Sequence, residues 1–509
     1  MHSSNTLWTR RPGLCVAGVI GALLVVRAAI VILSPIQLGP DEAQYWRWSQ
    51  TLDWGYYSKP PLIAWGIAAV SSLVGDQEWG VRLLAPLAHG AAAFCLFAFG
   101  RLAFSATVGA WAAAFYLLMP GVALSSVIMS TDAVLLPMWS ASLLCLWRLR
   151  EKPGPWTAIW LGIALGGAML AKYAALYLLV GAALSALLDR ATRRALISPF
   201  GLIAALVATI VLGPNLAWNA AHDFATVSHT ADNASLSAVS PDLSHGLKFL
   251  IDQMAVFGPL SFICLVAGLF LRRSVSDEHA KSTEIWLLCF IAPPLFVIAA
   301  QAIAVRAHAN WAATAYPAAS VLLASWIAYA PWKPWLKISL GINLLIGGLI
   351  AVLALSPSIA DGLNASGGLK RVRGWEETAL QLQTLTANTD TTAIMFDERE
   401  VWHGVDYYGR TLKLPPLRSW RRLDQARSHA EQAGAMRPGE DKNVLIASFR
   451  EDFIPRISAD FANFRPAGEL RVSLGGNDVR TLRLFRGSGY APLPRTADYE
   501  ARFSSSESD

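Results

Sequence analysis

The sequence predicts a polytopic α-helical membrane protein with about 11 transmembrane helices and a soluble α/β domain at its C-terminal end. Three observations carry that expectation. Only 15% of the 509 residues are charged, against about a quarter in a soluble globular chain. Hydrophobic residues make up 54% of the chain and the mean hydropathy is +0.40. Apolar runs of roughly 18 residues or more, long enough to cross a hydrocarbon core of about 30 Å, recur up to about residue 355 and then stop.

Read by hydropathy, the spans lie near 14–34, 80–100, 106–126, 131–147, 156–172, 173–188, 196–217, 247–271, 284–304, 311–330 and 336–356. The first follows Arg10 and Arg11 but is longer than a signal-peptide core and lacks a convincing small-residue cleavage site, so it is read as a retained helix. Basic residues mark alternate turns: Arg101, Arg148/Arg150/Lys152, Arg190/Arg193/Arg194, Arg272/Arg273/Lys281 and Lys333/Lys337. By the positive-inside rule those turns are cytoplasmic. The loops 35–79 and 218–246, the turn at Arg306 and everything after Ser356 are then extracytoplasmic. The net charge of +6 is mostly this bias, so no nucleic-acid partner is read into it. The five cysteines all fall inside predicted spans and form neither a disulfide framework nor a metal-binding spacing.

The expected domain boundaries are 1–357 for the membrane domain with its catalytic loops, 358–500 for the α/β domain and 501–509 for a disordered tail. After Ser356-Pro357 charge becomes dense and a helical pattern spans 374–388. The runs "TTAIMF" and "NVLIASF" read as strands. "GELRVSLGGNDVRTLRLF" reads as a hairpin turning at Gly475-Gly476-Asn477. No tandem repeat and no glycine-rich nucleotide signature occurs, which argues against a soluble nucleotide sugar or ATP as a group donor.

The loop 35–79 is the richest in chemistry. In "LGPDEAQYWRWS", Asp41 is placed to cap a short helix with Gln44 at its N3 position. Asp41, Tyr45 and Trp48 then share one face at i, i+4 and i+7. A carboxylate between aromatic walls suits a sugar ring, whose C–H face stacks on aromatics while a hydroxyl gives up its proton. The competing reading makes Asp41 a cap only and the tryptophans interfacial anchors. "GYYSKPP" sets Tyr56, Tyr57 and Lys59 before two rigid prolines, and lysine binds phosphate as a point charge. A lysine snorkelling to the headgroups is the alternative.

Other outward segments add candidates. Asp132 opens the fourth span in "MSTDAVLLP", as a cap or as an ionisable site residue. Lys172 lies between two spans in "LAKYAAL", where snorkelling competes with function. His222 and His229 are seven apart, not at zinc-motif spacing, and suit a substrate hydroxyl or phosphate better than a metal. "VRAHANWAA" contributes Arg306, His308, Asn310 and Trp311, and arginine suits phosphate oxygens.

With these residues in view the chain resembles the GT-C superfamily of polytopic glycosyltransferases, nearest the branch of protein O-mannosyltransferases and lipid A aminoarabinose transferases. "PDEAQYWRWS" is similar to the Asp-Glu pair that opens the family's first outer loop, "YYSKPPLIAW" to its Tyr-Phe-Glu-Lys-Pro segment, and "STDAVLLPMW" to its second acidic site. The resemblance covers about the first 355 residues. It implies a hexosyl or pentosyl transferase of the bacterial inner membrane. That enzyme inverts the anomeric carbon of a polyprenyl-phosphate sugar on the outer face, and its acceptor is lipid A, core oligosaccharide or another surface glycan. It implies Asp41 as base, with Glu42 and Asp132 as the other catalytic acids. Lys59, with Arg306 and Lys172, would hold the departing phosphate, and Tyr45, Tyr56, Tyr57, Trp48, His222, His229 and Asn310 would line the sugar sites. Ser58 departs from the pattern by replacing a glutamate of the aminoarabinose enzymes, a plausible partner of a cationic sugar.

Electrostatics supports the same chemistry, since lysine and arginine stabilise charge developing on a phosphate leaving group. No cofactor is expected, and a divalent metal is possible but not required. Protein O-mannosylation is the nearest alternative. A polyprenyl-lipid flippase is the alternative of another class, disfavoured because the acids gather at one face rather than at the midplane. A membrane anchor for a binding domain leaves the aromatic and charged loops unexplained.

Overall fold

A computed structural model describes residues 11–234, 241–270, 278–305, 307–329, 333–439 and 442–504. The chain forms two compact units. A helical unit comprises Met1–Ser34, Asp53–Gly55 and Lys59–Ala354, and a sheet unit comprises Pro35–Leu52, Tyr56–Ser58 and Leu355–Asp509. The segment at 35–52 thus groups with the C-terminal residues.

Among the described residues of the helical unit, six helices are long and apolar enough to cross a membrane: Pro12–Leu33, Glu78–Ala103, Thr131–Glu151, Pro199–Ala221, Glu278–Ala304 and Lys333–Leu355. A seventh crossing results if Leu243–Phe257 and Pro259–Phe270 count as one span, bent by 116°. The remaining expected spans also fall on helices, but on broken ones. Ala106–Leu118 stops before Pro120 and restarts as Pro120–Ser125. Pro155–Ala171 and Leu176–Leu188 are separated at Lys172 by one turn of 3-10 helix. Ala309–Ala315 is itself 3-10 and feeds Tyr316–Tyr329. Hydropathy averages over such breaks, so it registers crossings and not interruptions.

The break at Met119 is held by a buried cation. Arg27, on the first span, donates Nη1 to Ser126 Oγ at 2.9 Å and Nη2 to the carbonyl of Leu117. A helix that stops in an apolar setting leaves carbonyls without partners, and this guanidinium meets one of them. The bend at Gly258 (φ +103) needs glycine for a second reason: a Cβ there would overlap the Asn343 side chain. Asn343 donates to Phe257 O and Ser261 Oγ, across the same bend.

Among the described residues the sheet unit has five strands: β1 (Ala393–Phe396), β2 (Leu417–Ser419), β3 (Val444–Ser448), β4 (Phe461–Ser473) and β5 (Val479–Tyr490), in the order β2-β1-β3-β5-β4. β1 pairs parallel with β2 and β3, and β5 antiparallel with β3 and β4. Every residue of β1 and β3 is buried, as expected of parallel strands covered on both faces. The expected hairpin is β4–β5, turning through Gly475 (φ +94) and Gly476 (φ +55). Helix Trp375–Thr386 occupies the amphipathic stretch. Residues 501–504, read as tail, finish a helix Ala497–Ser504.

The loop 35–79 holds more structure than its composition suggests. Helix Pro40–Ser49 packs on helix Arg399–Tyr408, with Trp46 edge-on to Tyr407 at 4.9 Å. Leu38 N donates to Tyr408 Oη at 2.7 Å, and Trp375 N to Gln37 Oε1 at 2.6 Å. Leu62–Val74, a 13-residue apolar helix, lies in the helical unit.

A partly buried acid adds to the pH sensitivity of the sheet unit. Burial pushes the Asp406 carboxyl up to about 6, against the pull of Arg47 at 3.6 Å. The folded chain therefore holds this proton above the pH at which the unfolded chain releases it. Stability falls as pH rises from the ordinary carboxyl range through about 6. Asp406→Asn should raise the free energy of unfolding at pH 8 by on the order of 1–3 kcal/mol, read from denaturant melts, and the two proteins should converge near pH 4. A wild type more stable than the variant at pH 8 contradicts this.

Candidate active site

The helix carrying Asp41 starts two residues earlier than expected. Pro40 takes the first helical position, where its fixed φ and missing N–H cost nothing. Gly39 is then the N-cap, and Glu42 is the residue that reaches back: its Oε2 accepts from Gly39 N at 2.8 Å. Glu42, buried, is the capping carboxylate, and Gln44 does not fill the N3 position. Asp41 is released from the capping role.

Asp41 meets two arginines of the sheet unit instead. Arg399 Nη1 donates to Asp41 Oδ1 at 3.2 Å and to Gln44 Oε1 at 3.0 Å. Arg371 Nη2 lies 3.6 Å from Asp41 Oδ2 and 2.6 Å from Glu400 Oε1. The Asp41 side chain is 46% exposed, so one carboxylate oxygen is tethered while the group stays accessible. Burial works against the charge of Arg399, but Asp41, followed by Glu400 and Glu398, outweighs it and holds the pKa above the ordinary arginine value.

The aromatic residues expected to form a sugar platform are mostly enclosed. Trp48 is 1% exposed, stacked on Tyr56 at 4.9 Å and edge-on to His429 at 5.7 Å. Tyr56 donates its hydroxyl to Trp48 O at 3.0 Å. Tyr45, also buried, has its ring 5.5 Å from Trp48, and half-buried Tyr57 donates to Ala426 O at 2.7 Å. Burying one such ring contributes about 1.5–3 kcal/mol.

The second acid lies in the helical unit. Asp132, in the first turn of Thr131–Glu151, is buried. Its Oδ1 accepts from Lys172 Nζ and its Oδ2 from Asn310 Nδ2, both at 2.8 Å. Three segments far apart in sequence thus meet on one carboxylate. Asp132 and Asn310 line a cavity of about 1440 Å³. Its wall is largely apolar, with Ile128, Leu136, Phe249, Met254, Ile346 and Ile350, and its polar groups include Ser130, His308, His245, Lys248 and Asp252.

Lys59 is half-buried in the helical unit, just before helix Leu62–Val74, and is not among the residues lining that cavity. His222 is exposed and stacked on Trp218 at 4.0 Å, with Nδ1 2.8 Å from the Trp218 carbonyl. Arg306 and the side chain of His229 lie outside the described residues. Among the described residues no three His, Cys, Asp or Glu side chains are grouped to hold a metal ion.

Sequence reasoning missed Arg371 and Arg399. An arginine at the first position of a helix opposes the helix dipole, and Arg399 stands there. That misfit was the available signal. It also missed His245, Lys248 and Asp252, a polar stripe at i, i+3 and i+7 of Leu243–Phe257.

The Asp132–Lys172 pair yields a test of its own. Removing one partner strands the other charge in an apolar surrounding, at a cost of about 3–5 kcal/mol, while removing both costs less. Asp132→Asn and Lys172→Met should each lower the thermal midpoint in nanodiscs, and the double variant should be more stable than the sum of the two losses. Additive losses contradict the pairing.

Comparison with known proteins places the chain in a family. Residues 58–218 match the family described as dolichyl-phosphate-mannose-protein mannosyltransferase. Over 363 residues the chain is 38% identical to the lipid A galacturonosyltransferase RgtD of Rhizobium johnstonii, an alignment covering 71% of this chain and 75% of that protein. The fold is similar to crystal structures of ArnT from Cupriavidus metallidurans. The apo form aligns with a TM-score of 0.63 at 13% identity, covering 94% of this chain and 98% of the other. The form bound to undecaprenyl phosphate aligns with a TM-score of 0.61 at 14% identity, covering 92% and 97%. The chain is a multi-pass membrane glycosyltransferase and belongs to the GT-C superfamily.

Proposed function

We propose that this enzyme moves a hexuronic acid from a polyprenyl-phosphate donor to lipid A, with inversion, on the outer face of the inner membrane. The observation that carries the reading is the cavity of about 1440 Å³, apolar along most of its wall and polar where Asp132 and Asn310 meet. That division matches a prenyl chain with a phosphorylated head. The relative RgtD is a lipid A galacturonosyltransferase, and ArnT has been crystallised with undecaprenyl phosphate. The serine at position 58 supports a sugar other than a cationic one.

In the proposed reaction an acceptor hydroxyl attacks the anomeric carbon. The new C–O bond forms as the bond to the phosphate oxygen breaks, the electron pair leaves with the polyprenyl phosphate, and the hydroxyl proton passes to Asp41. Asp41 is assigned as base because it is the accessible acid of the three; both Asp132 oxygens and one Glu42 oxygen already accept hydrogen bonds. Lys59 and Lys172 are assigned to the charge that develops on the phosphate. Glu42 keeps its role as cap, and Asn310 fixes Asp132.

Purified protein reconstituted with lipid A and a polyprenyl-phosphate hexuronic acid should yield lipid A heavier by one hexuronic acid residue, read by mass spectrometry. Asp41→Asn should slow that transfer by about 10²–10⁴-fold, the usual worth of a positioned base. EDTA should leave the rate unchanged, since protein cations supply the positive charge. Transfer to peptide hydroxyls instead, or donor crossing the bilayer with its sugar bond intact, refutes the reading.

A further inference from the structure

The parallel core of the sheet unit leads to the arginine that bonds the candidate base: β1 ends at Phe396, three residues before Arg399. β1 is buried throughout and paired on both sides. The residue after it, Asp397, is pinned by three donors: Ser448 Oγ at 2.5 Å, Phe449 N at 2.8 Å and Arg450 N at 3.0 Å. Two residues later Arg399 opens the helix Arg399–Tyr408. In open α/β sheets functional groups gather outside the carboxyl ends of the parallel strands, and Arg399 leaves from such an end.

Helix Pro40–Ser49 is fixed against that same helix. Trp46 packs on Tyr407, Leu38 N bonds Tyr408 Oη, and Arg47 faces Asp406. Both ends of the Arg399–Asp41 bond therefore rest on ordered backbone within the sheet unit. One Arg399 nitrogen serves Asp41 Oδ1 and Gln44 Oε1, groups three residues apart on one helical face. A carboxylate on a half-exposed side chain would otherwise sample several rotamers. Tethered at Oδ1, it keeps Oδ2 aimed, and Arg371 stands 3.6 Å from that oxygen while bonded to Glu400.

We infer that Arg399 is the positioning residue of the transferase base: the C-terminal domain completes the catalytic site by clamping Asp41 and Gln44 through one guanidinium. This rests on the assignment of Asp41 as base. Arg399 takes no proton and touches no reacting atom in this role; it acts on kcat through Asp41.

The test uses the full-length enzyme in nanodiscs and compares five forms by kcat, KM and melting midpoint: Asp41→Asn, Arg399→Gln, Arg399→Lys, the double variant Asp41→Asn/Arg399→Gln, and the control Arg483→Gln on β5. Arg399→Gln should lower kcat by about tenfold to a hundredfold, the worth of a hydrogen bond to a charged group. KM for donor and acceptor should stay within about twofold, because the clamp is felt in the transition state and not in binding. Arg399→Lys, which keeps the charge but moves the donor nitrogen away from its place between Asp41 and Gln44, should fall between. The double variant should be no slower than Asp41→Asn alone, since two residues acting as a unit are not additive. Arg483→Gln should match the wild type.

If Asp41→Asn works at the wild-type rate, the base assignment fails and takes this inference with it. If Asp41→Asn is slow while both Arg399 variants keep the wild-type kcat, the base stands and the clamp is overturned. Additive losses in the double variant also overturn it. Should Arg399→Gln lower the melting midpoint, the decision passes to Arg399→Lys: a reduced kcat at an unchanged midpoint supports the clamp, and a wild-type kcat overturns it.

Discussion

A charged side chain among apolar helices persists only where another group meets it, and the helical unit is arranged around that requirement. Asp132, Lys172 and Asn310 form its clearest instance. Each stands where regular α-helix begins or gives way: Asp132 in a first turn, Lys172 at a helix C-cap, Asn310 in a 3-10 segment. Backbone that leaves the helix inside a membrane domain is tolerated where it is buried in protein or faces a cavity. The breaks at Met119-Pro120 and near Gly258-Pro259, with the segment Ala307–Ala309, contribute residues to the same cavity wall. Arg27 and Asn343 tie down two of those breaks from behind. The cavity is thus a consequence of where the helices stop, and the helices stop where polar groups can be satisfied.

The sheet unit solves a related problem in a wetter setting. Asp41 lies in the first turn of its helix, where a negative charge is favoured, so it needs no arginine to be tolerated. Arg399 is the member under electrostatic tension, because it opens a helix at the end that repels a cation. Asp41, Glu398 and Glu400 relieve that tension. An arginine kept at such a position by acids, one of which stands half-exposed, is better accounted for by what it does to that acid than by stability alone.

How much was legible in advance follows from range. Apolar runs register as local sums, so each expected span coincides with helix, and the Gly475-Gly476 hairpin was readable because its turn residues are adjacent. Pro40 also carried local information that was passed over: a proline prefers the first helical turn, which moves the cap to Gly39 and frees Asp41. What could not be read are pairings between segments distant in sequence, 40 residues apart for Lys172 and Asp132 and 358 for Arg399 and Asp41. Nothing in "PDEAQYW" points to Arg399, and nothing in "LAKYAAL" says that Lys172 answers Asp132 rather than the headgroups. Trp48 misled for a related reason: an aromatic beside a carboxylate looks the same in sequence whether its faces are open or are covered by Tyr56 and His429.

The structure of the reconstituted enzyme with polyprenyl phosphate, determined by electron cryomicroscopy in nanodiscs, tests the central claim most directly. The prenyl chain should follow the wall of Ile128, Leu136, Phe249 and Ile350, with its phosphate at the end of the cavity where Asn310 and Asp132 meet. A cavity without lipid density, with the polyprenyl phosphate ordered elsewhere on the protein, contradicts the account.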